Sequence, residues 1–199
     1  MYGNDIEPFS LVLLGNSSSG KKAIMRRFLT GHYIGYTINS KGVEFFTKEI
    51  KLKDGSKIKL KIIDLPDQEK SLEVTTSFIQ KSDGALLVFS HWDRNSFDNL
   101  INWLDLIYAN CPKWDINIQY PIYLVGNNCD LASVISKEEI EEFKRKYNFG
   151  GCYIDTSPKE NINIDELFLK MGEILFQIYG KRENLKLAKK GKKKDCVLI

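Results

Sequence analysis

FSLVLLGNSSSGKKAIMRRFLT, residues 9–30, decides the fold. Leu11 to Leu14 is an apolar run of strand length. It breaks at Gly15 into a small polar loop, Asn16 to Ser19, and after Gly20 the positions Ile24, Phe28 and Leu29 recur on one helical face. Strand, then G-x-x-x-x-G-K, then helix is the setting of a P-loop. Glycines let the backbone approach an anion, successive N–H groups ring its oxygens, and the helix N-terminus adds partial positive charge. Gly15, Ser18, Ser19, Gly20, Lys21, Lys22 and Ala23 are the candidate phosphate-binding residues. A Gly/Ser turn entering an ordinary helix would look similar. One position departs from the motif: Lys22 stands where a Ser or Thr hydroxyl would ligate Mg²⁺.

The 199 residues suit one domain, 1–180, followed by a tail, 181–199. The net charge of +3 is unevenly spread. The tail holds 8 Lys/Arg against 2 acids, +6, while the first 180 residues hold 21 against 24, −3. A nucleic-acid-binding core is therefore disfavoured. The four cysteines have no C-x-x-C spacing and histidines number two, which argues against a zinc site or a disulfide framework and fits a reducing compartment. No basic leader with an apolar core is expected at MYGNDIEPF, Tyr2 does not suit myristoylation, and no apolar run reaches the roughly 20 residues of a spanning helix.

Strands are expected at Val43 to Lys53 and Lys57 to Asp64, joined at Asp54-Gly55, a hairpin turn signal. The second alternates Ile58, Leu60, Ile62 against Lys57, Lys59, Lys61. A short helix to about Gln80 follows, then a buried strand over Gly84 to Ser90. Next come a helix over Ser96 to Asn110 with Leu100, Trp103, Leu104 and Ile107 inward, and a strand from Tyr120 to Gly126. Lys137 to Tyr147 is a helix opened by Ser136 in a capping box with Glu139, Cys152 to Asp155 a last strand, and Ile164 to Tyr179 a closing helix. This alternation predicts an α/β doubly wound fold of the P-loop NTPase type. It is a six-stranded, mostly parallel sheet with one antiparallel edge strand and helices on both faces. Ligands bind such sheets at the carboxyl ends of the strands, so Gly15, Asp64, Asn127 and Asp155 are expected to ring one site.

Three further segments follow the P-loop in order: Asp64-Leu-Pro-Asp67-Gln68-Glu69, Asn127-Asn-Cys-Asp130 and Thr156-Ser157-Pro158-Lys159. With this order and spacing the chain resembles a Ras-superfamily small GTPase, most closely the Rab branch. The Rab likeness rests on Lys41-Gly-Val-Glu-Phe45, on Lys59-Leu-Lys-Ile-Ile63 before Asp64, and on Gln68-Glu69 followed by Thr75-Thr-Ser-Phe78. The resemblance implies GTP and GDP as ligands, with Lys21 on the β- and γ-phosphates. Asp64 and Ser40 would serve Mg²⁺, and Gln68 would orient the attacking water as the catalytic residue. It implies a guanine subsite of Tyr33, Asn127, Asn128, Asp130, Ser157, Pro158 and Lys159, with Asp130 reading base N1 and N2. It also implies an effector surface of Phe45, Ile63 and Phe78, contacted by effector proteins, with exchange factors and GTPase-activating proteins as further partners.

The departures gather at the nucleotide. An ammonium at Lys22 repels a cation, so Mg²⁺ binding is expected to be weakened or absent, with Lys22 neutralising phosphate instead. Asp67 stands in place of the Gly whose N–H meets the γ-phosphate, beside Pro66. Asn128 replaces a Lys whose stem lies on the guanine, and Pro158 has no N–H to offer guanine O6. Slow intrinsic GTP hydrolysis in a membrane-trafficking switch is the expectation. The alternative is a pseudo-GTPase, a prenylated scaffold without a working cycle; an ATP-using P-loop enzyme would leave Asn127-x-x-Asp130 without purpose. Cys196-Val-Leu-Ile199 reads as a C-a-a-X box, an acceptor for a prenyltransferase with geranylgeranyl favoured, and the lysines of 186–194 supply a second membrane signal. The expected location is the cytoplasmic face of an intracellular or plasma membrane, lipid-anchored, with a cytosolic pool.

Overall fold

The computed structural model describes residues 7–35, 42–66, 72–111 and 120–180. The strands are β1 (Phe9–Leu14), β2 (Glu44–Lys51), β3 (Lys57–Asp64), β4 (Gly84–Ser90), β5 (Ile122–Asn127) and β6 (Tyr153–Thr156). They form one sheet in the order β2-β3-β1-β4-β5-β6, parallel throughout except that β2 pairs antiparallel with β3. Side chains alternate between sheet faces with period two, and a strand covered on both sides is apolar at every position. β1 illustrates this: Leu11 and Leu13 enter one core, Val12 and Leu14 the other. β3 differs because its second face is wetter. Ile58, Leu60 and Ile62 are buried, and the intervening lysines lie toward solvent.

Among the described residues six α-helices cover the sheet: α1 (Lys21–Thr30), α2 (Leu72–Lys81), α3 (Arg94–Asp98), α4 (Leu100–Asn110), α5 (Lys137–Lys146) and α6 (Ile164–Leu175). Phe28 of α1 stacks on Phe168 of α6, with centroids 3.8 Å apart, and both rings are buried in the first core. Leu100, Leu104 and Ile107 of α4 fill the second, with Phe97, Ile140 and Phe143.

Where expected bounds shift, local chemistry explains it. The helix expected over Ser96 to Asn110 starts two residues earlier, because Asp93 caps it by accepting from the Asn95 N–H at 3.1 Å. It also divides at Asn99 into α3 and α4. The closing helix is α-helical only to Leu175 and continues as a π-turn over Phe176–Gly180, and Ile174 and Ile178 are half-buried. The expected capping box is present: the Glu139 N–H donates to Ser136 Oγ at 3.2 Å and the Ser136 N–H to Glu139 Oε2 at 2.9 Å.

Truncating Phe168 to Ala removes one of the two stacked rings and should lower unfolding free energy by about 3–5 kcal/mol, read by denaturant titration. Glu139 offers a pH test. The N–H of Ser136, then Arg94 and the Ser136 hydroxyl, hold its carboxyl down to about 2 from 4.5. Its ionised form therefore supports α5 at every pH above about 4.5, and that support is lost as pH falls towards 2. A carboxyl-carbon NMR titration should place the midpoint near 2 and move it upward in Arg94→Ala; an unperturbed midpoint would refute the assignment.

Candidate nucleotide site

The loop after β1 is shaped by two glycines that no other residue could replace. Gly15 has φ +134°, and a Cβ there would lie 2.1 Å from the Val88 carbonyl oxygen. Gly20 has φ +84°, and its Cβ would lie 2.1 Å from Asn127 Nδ2. Between them Ser17–Ser19 makes one 3₁₀ turn, closed by the Ser19 N–H and Oγ donating to Asn16 O at 3.1 and 2.9 Å. α1 then begins at Lys21 with its N-terminal N–H groups at the cleft.

Distant residues fix this loop. Asn127 Nδ2 donates to Ser19 O at 2.9 Å, and Asn127 Oδ1 accepts from Thr156 Oγ1 at 3.1 Å, so one buried amide ties the loop to β5 and β6. From the other side Trp103 Nε1 donates to Asn16 Oδ1 at 3.0 Å and Ser18 Oγ to Asp93 Oδ2 at 2.6 Å. Those contacts to Asn16 and Ser18 span the chain and carry no sequence signature.

Two lysines are buried here, each 6% exposed. Lys21 Nζ donates to Gly15 O at 2.8 Å and Asn16 O at 2.7 Å, curled over the loop that a phosphate would occupy. Lys22 Nζ lies 3.8 Å from Asp64 Oδ2, and Asp64 is 1% exposed at the end of β3. A cleft of about 210 Å³ opens beside them, lined by Gly20, Lys21, Lys22 and Ala23 on the helix side and by Tyr33, Trp92 and Asn128 at the mouth. A larger one, about 520 Å³, shares Ser17, Ser18 and Lys21 but runs away beneath α2 and α4 among Leu65, Leu72, Trp103 and Leu106. The smaller cleft carries the charge and the helix N-terminus, and is the candidate site.

In the turn after β5, two residues beyond the cleft-lining Asn128, Asp130 Oδ1 is buried with no hydrogen-bond partner. An orphaned carboxylate oxygen fits a ligand that donates, as guanine N1 and N2 do. Ser157 is fully buried, exchanging hydrogen bonds with Ile162 at 3.2 and 2.9 Å, while Pro158 is buried and Lys159 is exposed beside Glu160. Arg27 Nε donates to Asn161 Oδ1 at 3.0 Å, joining α1 to this loop.

Two expectations are corrected, those for Asp155 and Ile63. Asp155 does not face the cleft. His91 Nε2 lies 2.6 Å from its Oδ1, and Tyr153 also donates to it. Burial raises the Asp155 carboxyl, but His91 and Tyr153 outweigh that and hold it below the ordinary carboxylate range. Asn128 lines the cleft at φ +59°, with Oδ1 accepting from Ser90 Oγ at 2.9 Å. Ile63 is 2% exposed and belongs to the core, whereas Phe45 is 49% exposed with its ring 5.6 Å from that of Phe78. Of the three expected effector contacts, Phe45 and Phe78 reach the surface. Ser40, Asp67, Gln68 and Cys196 lie outside the described residues.

Comparison with known proteins agrees with this geometry. The sequence model of the Ras family matches residues 10–177. The chain is 32% identical to Ras-related protein Rab-39A of Mus musculus over 184 residues, 89% of this chain and 82% of that protein. It is 34% identical to the GTP-binding protein YPTM1 of Zea mays over 165 residues (82% and 76%), and 30% to Ras-related protein Rab-13 of Bos taurus over 177 (87% and 83%). The chain belongs to the Ras family. It is a Rab-like small GTPase, of a family that binds GTP and GDP with Mg²⁺ and hydrolyses GTP.

Lys22 stands at the position of the metal's hydroxyl ligand, with its ammonium 3.8 Å from Asp64 Oδ2. Replacing Asn127 by Ala should release the loop and leave Ser19 O buried and unpaired. A loss of about 1–3 kcal/mol is expected, seen as a lower melting temperature together with weaker nucleotide binding; a stable variant that binds normally would contradict the clasp.

Proposed function

We propose that this protein is a Rab-like GTP-binding switch of membrane traffic whose nucleotide site works with a built-in cation. The observation that carries the reading is the buried pair of lysines at the α1 N-terminus, with Lys22 3.8 Å from Asp64. Lys21 and the loop N–H groups hold the β- and γ-phosphates, and Asp130 reads the guanine. Lys22 lies against the buried Asp64 and presents its own charge to the phosphates.

A single ammonium delivers one charge as a flexible point donor. It attracts phosphate in ground state and transition state alike, and such uniform binding raises affinity without raising rate. Intrinsic hydrolysis is therefore slow, with Gln68 the residue that orients water. Pro158 has no N–H for guanine O6, so discrimination against adenine rests on Asp130 and is narrower than a site with both groups gives. Phe45 and Phe78 form the effector surface, read by effectors, exchange factors and activating proteins. Attachment to a cytoplasmic membrane face uses prenylation of Cys196 with the lysines of 186–194, each lysine near an anionic leaflet worth about 1 kcal/mol. The alternative of a scaffold with no nucleotide cycle is not favoured by kinship with GTP hydrolases.

Nucleotide-free protein should bind GDP and GTP more tightly than ADP, and EDTA should change the affinity by no more than a few-fold. Lys22→Ser should make binding and hydrolysis depend on Mg²⁺. Collapse of wild-type binding in EDTA would end the built-in-cation reading, and equal affinity for ADP would end the guanine reading. Cys196→Ser should shift the protein from membrane pellets to the soluble fraction; unchanged pelleting would remove the lipid anchor.

A further inference from the structure

Trp92 is a large apolar side chain left 51% exposed at the mouth of the nucleotide cleft. Its backbone is held on both sides. The preceding His91 donates its N–H to Asn127 O at 2.9 Å and accepts from the Val134 N–H at 2.9 Å. The following Asp93 donates its N–H to Ser90 O at 3.1 Å and takes the Ser18 hydroxyl at 2.6 Å. An indole on so constrained a turn is a pre-positioned surface, and indoles half in water at a cleft mouth are typical of ligand contacts.

The neighbours define what it faces. Asn128, which shares the cleft, is short and folded back on Ser90, so it covers little of the base. Tyr33, 42% exposed, lines the same cleft. Lys21 and Lys22 mark the phosphate end, and a nucleoside attached to phosphates held there must leave through the mouth that these aromatics line.

We propose that Trp92 is a nucleotide-contacting residue that packs its indole against the nucleoside moiety, supplying an apolar face that Asn128 does not. This rests on the nucleotide-site reading above. Because every base offers a π-face, such packing adds affinity without choosing among bases. It therefore raises GDP and ADP binding together and leaves selection to Asp130.

The test compares full-length wild type, Trp92→Ala and Trp92→Phe in titrations with GDP, ADP and inorganic pyrophosphate. Trp92→Ala should weaken GDP binding roughly tenfold or more and ADP by a similar factor, leave pyrophosphate unchanged, and be largely rescued by Trp92→Phe. Unchanged GDP affinity in Trp92→Ala would overturn the proposal while leaving the nucleotide site intact. Equal losses for GDP and pyrophosphate would overturn it in favour of a structural role in holding the loop. Wild-type protein that binds pyrophosphate but neither nucleotide would overturn both the proposal and the reading beneath it.

Discussion

Two ammonium groups buried side by side at adjacent positions are the constraint on which this site depends. Lys21 and Lys22 are each 6% exposed, and a buried charge is tolerable only where partners replace its lost hydration. Lys21 is met by two carbonyls of the loop and Lys22 by Asp64. These partners come from the end of β1 and the end of β3, neighbouring parallel strands. The sheet order thus brings a carboxylate to the second lysine, beside the N-terminus of α1. Every other feature of the cleft arranges itself about that local excess of positive charge.

Rigidity comes from single polar side chains acting over long distances in the chain. The Asn127 amide holds loop, β5 and β6 together with two hydrogen bonds, and Trp103 pins Asn16 from α4. The phosphate cradle therefore does not have to be ordered by the ligand, and less of the binding free energy is lost to loop entropy. The same logic applies to Asp93, which caps α3 and grips Ser18 with one carboxylate.

The fold was legible because β1, β4 and β5 are buried on both faces, β3 alternates, and the helices carry apolar stripes, so periodicity separates them cleanly. Gly84 to Ser90 and the capping box at Ser136 were readable to the residue. The ordered motifs at strand ends made the site legible too, since topology alone gathers them. What escaped was tertiary. Asn16 and Trp103 meet across 87 residues, and nothing in either sequence neighbourhood marks the pairing. Asp155 ends a strand as expected, but the side-chain direction depends on His91, a residue that sequence spacing gives no reason to single out. Ile63 belongs to the core on the α2 and α4 side of the sheet, a placement its own sequence neighbourhood does not mark. Trp92 sits in a turn without periodicity, where a lone aromatic has no pattern to betray it.

On the proposed reading affinity and selectivity fall to different groups, and the replacements divide along that line. Lys22 in place of a hydroxyl would change how phosphate charge is balanced, alike for every nucleoside di- and triphosphate. Pro158, buried and lacking an N–H, would bear on the base, where Asp130 Oδ1 is buried without a hydrogen-bond partner. A site that keeps strong phosphate electrostatics while thinning its base contacts gains general nucleotide affinity and loses part of its discrimination, because the phosphate contribution is common to all nucleotides and cancels in the comparison. The nucleotide pool would then influence occupancy as much as the site does. Guanine would remain favoured in such a site as long as the Asp130 carboxylate is shielded from water, since a buried acceptor left without a donor is what penalises the wrong base.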